Sequence, residues 1–473
     1  MGRGHGIYRP GGVPNKSRLN LQVLEIKHWG KPAILLALIL LWMGMYSCVP
    51  IAQQNGGMAD SSNPEYYAET QLRYEDYIYD QNIKTVQCYV QSGHPEEVLT
   101  PPVIPLTQEQ PIVLEFDQLN TPQQRFLVKF IYCNADWTEA RITQMQYMQD
   151  FNEFYITNVS PSFNTKVPFF HYRFVVPPVK LSGNYLMVVT TQGGANILSR
   201  RLLVYEQRVN VGAQPVLATG VQERLTNQQI DFTVFYNQYP LVNPAQEVRV
   251  VLRQNHRWDN ARVGLRPVFV RDTERKLEFT YFNFENNFRG LNEYRFFDTR
   301  SMRSLGANVA AANREVVPEE ILLVGDRNRS REAFSSQIDI DGKFIIGNRE
   351  FGNGPLNGDY NWVTFNLLAT QPAPGNVYVF GALSGWGLHK NYQLTYNPET
   401  QRYTGRILLK QGYYNYHYAV QTGTGSATNP DETFYEGSFN QTQNQYEVLV
   451  YYRPPGARTD LLIGYQPLNF NGR

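Results

Sequence analysis

Seven histidines, 42 carboxylates and three cysteines are the residues of this chain that could carry chemistry, and their spacing assigns them little. His5, His28, His94, His171, His256, His389 and His417 are scattered, and none stands in an HExxH pair that would hold zinc on one helix face. No GxSxG nucleophile elbow is present. Gly381–Gly387 (GALSGWG) has no lysine to make it a phosphate-binding loop. Asp339-Ile340-Asp341-Gly342 opens like a calcium loop, but Arg349-Glu350 are out of register with its closing position, so the stretch reads as a hairpin turn. Asp136 beside Trp137, and Glu293 near Asp298, are where a catalytic pair of carboxylates would be sought. The same residue types equally suit a tight corner, where a carboxylate accepts backbone amides.

The elements that must position these groups are strands. The chain of 473 residues is 42% hydrophobic and only 18% charged, with 32 Tyr and 26 Phe broken up by 36 Gly and 28 Pro. Strand formers punctuated by breakers predict an all-β protein of tandem immunoglobulin-like β-sandwich domains. At roughly 100–150 residues per domain, about three domains fit. A net charge of +1 offers no basic footprint, so no nucleic-acid partner is expected. The clearest pattern runs from Tyr403 to Tyr452. Tyr414, Tyr416 and Tyr418, and again Tyr446, Val448, Val450 and Tyr452, return every second residue, which predicts two strands of a hairpin with one face toward a core. Tyr413, Asn415, His417 and Ala419 stand on the opposite face. One core cannot take tyrosines from both faces, so some are expected to meet a partner.

Residues 1–47 read as a signal segment, with Arg18, Lys27 and Lys31 before an apolar run, Ala33–Tyr46, that is shorter than a membrane span. Met45-Tyr46-Ser47-Cys48 approximates a bacterial lipobox, so Cys48 is a lipid-attachment candidate, and ordinary signal cleavage nearby is the alternative. Residues 48–82 read as a polar tether whose flexible part would reach on the order of 30 Å. An N-terminal β-sandwich is expected over 83–207, a middle β-rich domain over 208–354, and a C-terminal sandwich with a tail over 355–473. Pro101, Pro102, Pro105, Pro161 and Pro177-Pro178 separate the strands of the first. In an oxidising compartment Cys88 and Cys133 could bridge, or remain two separate buried thiols. The last domain is similar to the early-set sandwiches of glycogen-binding modules, in which exposed aromatics stack on sugars. Trp386 and Tyr392 would do so here, giving a carbohydrate-binding outer-membrane lipoprotein as an alternative function.

Longer motifs occur in order: CNADW (Cys133–Trp137), GLNEYRFFD (Gly290–Asp298), GDYNWVTF (Gly358–Phe365), LKQGYYNYHY (Leu409–Tyr418), and EGSFNQTQNQYEVLVYYR (Glu436–Arg453) followed by DLLIGY (Asp460–Tyr465). Together they make the chain resemble the plug proteins of the type IX secretion system, over about Ile83 to Tyr465. The resemblance implies a non-catalytic periplasmic protein that docks on the inner mouth of the giant outer-membrane translocon β-barrel and closes its pore when no substrate is in transit. It implies no cofactor and no metal. It makes Asn134, Asp136, Trp137, Asn292, Glu293 and Asp298 structural residues of the family motifs. If Cys48 is lipidated, the anchor would lie in the periplasmic leaflet of the outer membrane, because VPIAQQ after it lacks an acidic export cluster. Exposed tyrosines among Tyr413, Tyr416, Tyr451 and Tyr452 are expected to form part of the partner contact, since Tyr combines contact area with a hydroxyl that water can satisfy on release.

Overall fold

The computed structural model describes residues 71–119, 122–301, 303–423 and 429–471. Cys48, the signal segment and the tether up to residue 70 lie outside the described residues. From residue 71 the expected tether is already part of the first domain. Leu72 and Tyr74 pack into a buried cluster, and Tyr77–Ile78 is a strand paired with Leu198–Ser199.

The first domain is a sandwich. One sheet runs Tyr77–Ile78, Asn196–Tyr205, Gly183–Thr191, Phe126–Cys133, Phe154–Tyr155, with Val103–Pro105 added parallel to Asn196–Tyr205. The facing sheet runs Ile83–Val90, Ile112–Leu119, Phe169–Val175, Asn158–Pro161. Alternation places Phe126, Val128 and Phe130 from one sheet against Leu114, Phe116 and Tyr172 from the other in one core. Between the strands, Gln144–Tyr147 is a single helical turn that Thr143 and Gln146 cap reciprocally.

The middle domain is discontinuous. Its first sheet (Asn210–Leu217, Asn227–Phe235, Lys276–Phe279, Phe269–Arg271, with Asn287–Arg289 on the second strand) faces a sheet ordered Arg262–Leu265, Val248–Gln254, Asn444–Tyr452, Leu461–Phe470. Half of that second sheet comes from the end of the chain. The last domain is inserted before it, as a ten-stranded sheet whose main order is Arg295–Asp298, Gly412–Thr422, Val377–Phe380, Gln393–Asn397, Arg402–Lys410, Tyr360–Leu368, Glu319–Leu323, Val309–Asn313. Phe297 and Tyr416 from one end of this order share a core with Ile321 and Phe365 from the other, so the sheet folds over on itself.

Two expectations are corrected here. The boundary near residue 354 does not divide the sheets: strands from Arg295 onward belong to the last domain, and Asn444–Phe470 returns to the middle one. Nor do the tyrosine-rich strands form a hairpin. Gly412–Thr422 pairs with Arg295–Asp298 and Val377–Phe380, whereas Asn444–Tyr452 pairs with Val248–Gln254 and Leu461–Phe470. A period of two fixes which face a residue occupies, not which strand lies alongside.

Candidate functional site

The tyrosines are buried on both faces of their strands. Tyr414, Tyr416, Tyr418 and Val420 enter the last domain's core, and the opposite face of the same strand, Asn415, His417 and Ala419, is buried as well. Tyr446, Val448, Val450 and Tyr452 enter the middle core, while Leu449 and Tyr451 on the other face join a cluster with Cys133, Trp137, Leu186 and Val188 of the first domain. The partner that the aromatic excess calls for is a neighbouring part of the same chain. Tyr416, Tyr451 and Tyr452 are therefore not exposed contact residues, and only Tyr413 of the four retains partial exposure, stacked on Phe296. The hydroxyls are committed too. Tyr416 and Tyr418 both donate to Asp326 at 2.7 Å, and Tyr451 donates to Asn184 at 2.7 Å.

The family motifs meet one another at these domain junctions. CNADW forms a turn in which Trp137 adopts φ +64°, an unusual conformation for a bulky residue. Asp136 holds the turn by accepting the Thr138 amide and hydroxyl (3.1 and 2.6 Å). Burial pushes the Asp136 carboxyl up, but these bonds outweigh it and leave the group below its usual range. The turn docks on the motif at Asp460: Ala135 N–H donates to Asp460 Oδ2 (3.0 Å), Arg453 pairs with Asp460 (2.8 Å), and Arg453 also donates to Asn134 Oδ1 (3.1 Å). Trp137 crosses the junction instead of closing its own core. It meets Trp258 edge-on at 5.0 Å, and the Arg201 guanidinium lies over both rings at 4.4 and 5.3 Å.

GDYNWVTF and LKQGYYNYHY fasten the last domain to the first. Lys410 Nζ, almost fully buried, pairs at 2.6 Å with the equally buried Asp117, which also accepts the Tyr360 hydroxyl (2.7 Å) and bonds His171 (2.8 Å). Burial lowers the Lys410 pKa, and Asp117 acts against that shift. Asp359 accepts the backbone amides of Lys166 and Val167 (2.6 and 3.0 Å).

The third junction uses GLNEYRFFD. Asn292 donates to the Glu436 carbonyl (2.8 Å), and Arg295 and Arg329 both pair with the Glu436 carboxylate (3.0 and 2.6 Å). Burial would raise that carboxyl, but the two guanidinium groups hold it far below its usual range. Arg257 of the middle domain pairs with Glu432 of the last (2.6 Å), and His417 bonds the same carboxylate (3.0 Å). Burial would raise Glu432, yet Arg257 and His417 hold it down to about 2. Asp298 pairs with Arg300 and Arg349 at 2.7 Å. Glu293 is not its neighbour in function. Buried Glu293 lies with Asp339 and Asp341, and burial followed by their charge pushes it up to about 7.

These geometries answer the other sequence expectations. Cys88 and Cys133 are free thiols on strands of opposite sheets, and burial pushes both up to about 12, so no bridge and no reactive thiolate is formed. Neither expected carboxylate pair assembles: Asp136 is spent on its turn, and Glu293, with almost no exposed surface, has Asp339 for a neighbour in place of Asp298. Trp386 is partly buried, with Arg257 4.3 Å over its ring and Phe380 and Tyr294 against it in edge-on contacts. Tyr392 packs on the core of the last domain. The stretch at Asp341-Gly342 is a hairpin-type turn with φ +51° and +75° and a Lys343 N–H to Ile340 bond, as its sequence predicts. Gly342 is required there twice over, because a Cβ would stand 2.4 Å from the Trp386 ring. Among the described residues no group of His, Cys, Asp and Glu is arranged to hold a metal.

Sequence reasoning missed Asp117, Arg201, Trp258, Arg257, Glu432 and Asp326. Ile112–Leu119 held a signal: Glu115 and Asp117 alternate with apolar residues in a strand that is buried throughout.

The fold and its junctions define a class: a multi-sandwich β-protein whose motif residues hold its domains together. Residues 83–206 match the family described as the type 9 secretion system plug protein 1st domain. This match over the first domain supports the type 9 secretion system plug family. The chain is also similar to the crystal structure of a hypothetical protein from Parabacteroides merdae, with 29% identity and a TM-score of 0.78 over 85% of this chain and 100% of that one. No curated protein matches it. Among the described residues, no helix is long and apolar enough to cross a membrane.

Proposed function

We propose that the protein is a periplasmic plug that seats on the periplasmic mouth of the secretion system's outer-membrane β-barrel and keeps the pore closed when no substrate is in transit. The observation that carries this reading is the plug-family first domain at residues 83–206. The junctions support it. A stopper for a wide aqueous opening has to resist deformation, and three sandwiches fixed to one another by buried ion pairs and shared apolar clusters make a stiff body. Lipidation at Cys48 would concentrate the protein at the periplasmic leaflet of the outer membrane.

The test is capture of the barrel from gently solubilised outer membranes on the tagged full-length chain, together with outer-membrane permeability of a deletion strain. Recovery of the secretion barrel, and entry of a large antibiotic into the deletion strain, are the expected results. An unchanged permeability barrier and no recovered barrel would overturn the proposal.

A further inference from the structure

The junctions leave a crevice where all three domains meet. Its inner part, about 180 Å³, lies between Arg200 and Arg201 of the first domain, His256 of the middle domain, and Lys343, Phe344 and Trp386 of the last. Asp76, Arg201, His256 and Trp386 also line an outer space of about 550 Å³, so the two parts are continuous. Arg200 and Arg201 are carried by the strand Asn196–Tyr205, whereas Lys343 stands just before Phe344–Ile346, which pairs with Gly412–Thr422.

The two parts differ in charge. In the outer space Glu75 pairs with Arg73 (2.5 Å) and Asp259 with Arg257 (2.6 Å). In the inner part Arg200, Arg201 and Lys343 face a single carboxylate among the described lining residues, Asp76, which accepts the Arg201 backbone amide (2.6 Å). His256 bonds Glu447 and Gln445, and burial lowers its pKa, so it is uncharged at neutral pH.

The three cations are held by carbonyls. Arg200 Nη1 donates to the Ser199 and Tyr77 carbonyls (2.8 and 3.4 Å), Arg201 Nε to the Tyr74 carbonyl (2.9 Å), and Lys343 Nζ to the Leu99 carbonyl (2.7 Å), and among the described residues none of the three side chains forms an ion pair. Burial lowers the Lys343 pKa, with Asp341 and Glu447 acting against the shift. A carbonyl accepts a hydrogen bond but brings no full negative charge. Withdrawing these cations from bulk water therefore carries a cost that an anion between them would offset. Arg200 has donors to spare, since its Nε and Nη2 make no bond among the described residues. A guanidinium fork matches the paired oxygens of a carboxylate or a phosphate. Val86, Leu99 and Phe344 give the same space an apolar wall, the usual complement to a few placed polar groups in a ligand pocket.

We infer that the crevice is a binding site for a small ligand with an oxyanion headgroup, a phosphate or a carboxylate, held between Arg200 and Lys343 with its apolar part against Val86 and Phe344. The site does not depend on the function proposed above. The test is equilibrium dialysis of the full-length chain against radiolabelled inorganic phosphate and against radiolabelled succinate, at constant ionic strength in chloride. Lys343→Met and Arg200→Gln are measured beside the parent, with Arg303→Gln, an exposed arginine outside the crevice, as the control. The parent and Arg303→Gln are expected to bind one equivalent saturably, and the two crevice variants about tenfold more weakly. At saturation the anion should raise the melting midpoint of the parent by about 2 °C and that of the crevice variants by far less. Arg200→Gln alters a partly exposed position, so it decides the matter if Lys343→Met does not fold. Tighter retention of phosphate or of succinate would identify the headgroup, and either supports the site. No saturable binding of either anion, or equal binding by the parent and the crevice variants, would overturn the inference.

Discussion

The first domain is held on two sides by different physics. Against the middle domain it presents Cys133, Trp137, Leu186 and Val188 to Val251, Leu449, Tyr451 and Leu462, an apolar contact edged by the Arg201–tryptophan stack. Against the last domain it presents a smaller apolar group, Leu119 and Phe169 on Tyr360, around the buried Lys410–Asp117 pair. The apolar side is built from many modest contributions that grow with area. The ionic side concentrates its sensitivity in one pair, because each charge has left water and depends on the other. The first tolerates small changes gradually, whereas the second either holds its geometry or leaves a buried charge without a partner.

The largest effect is therefore expected at the ionic side. Lys410→Met leaves Asp117 buried and should cost about 4 kcal/mol in urea unfolding. Adding Asp117→Leu should recover only part of this, because Tyr360 and His171 then lose their acceptor. Full recovery would show that those two bonds contribute nothing. On the apolar side, Leu449→Ala should cost about 3 kcal/mol, read the same way. If it cost more than Lys410→Met, the contrast between the two sides would fail. Arg201→Ala, which removes the cation from over Trp137 and Trp258, should cost about 1 kcal/mol. Its tryptophan fluorescence should also shift, and an unchanged spectrum would place the stack outside the energetics of the junction.

A fourth prediction concerns pH. Glu293 keeps its proton in the folded state up to about pH 7, against a usual value of 4.5. Between those values the folded state binds more protons than the unfolded one, so this group makes stability fall as pH rises. Glu293→Gln should flatten that fall, measured as denaturation midpoints across the window. The depressed carboxyls of Glu432 and Glu436 act below it, because their stabilisation is present above about pH 4.5 and is lost as pH drops toward their folded values. A slope unaltered by Glu293→Gln would assign the window to Asp341, which burial raises to about 6. The smallest effect is expected at Tyr413, the partly exposed member of the expected contact tyrosines, where Tyr413→Ser should change stability by about 0.5 kcal/mol or less.

Much of this architecture was readable residue by residue. The breaker-punctuated strands and the period-two faces of Tyr414–Tyr418 and Tyr446–Tyr452 all have local causes. So do the turn at Asp341-Gly342 and the amide-accepting role of Asp136. The aromatic excess pointed to a partner-facing surface, whereas Tyr416, Tyr451 and Tyr452 are buried within the chain itself. What covers them was not readable, because alternation describes a strand's two sides and is silent about which distant surface approaches each.

The sequence by itself determined the all-β class, the alternating faces of strands such as Gly412–Thr422 and Asn444–Tyr452, and the motifs that carry the family resemblance, since backbone sterics and side-chain alternation act within a few residues. Only the tertiary structure decided that Asn444–Phe470 completes the middle domain, that Asp117 meets Lys410 across 293 positions of chain, and that Trp137 closes on Trp258. Those choices follow from burying apolar faces and pairing desolvated charges, which depend on the whole folded surface and leave no spacing in the chain.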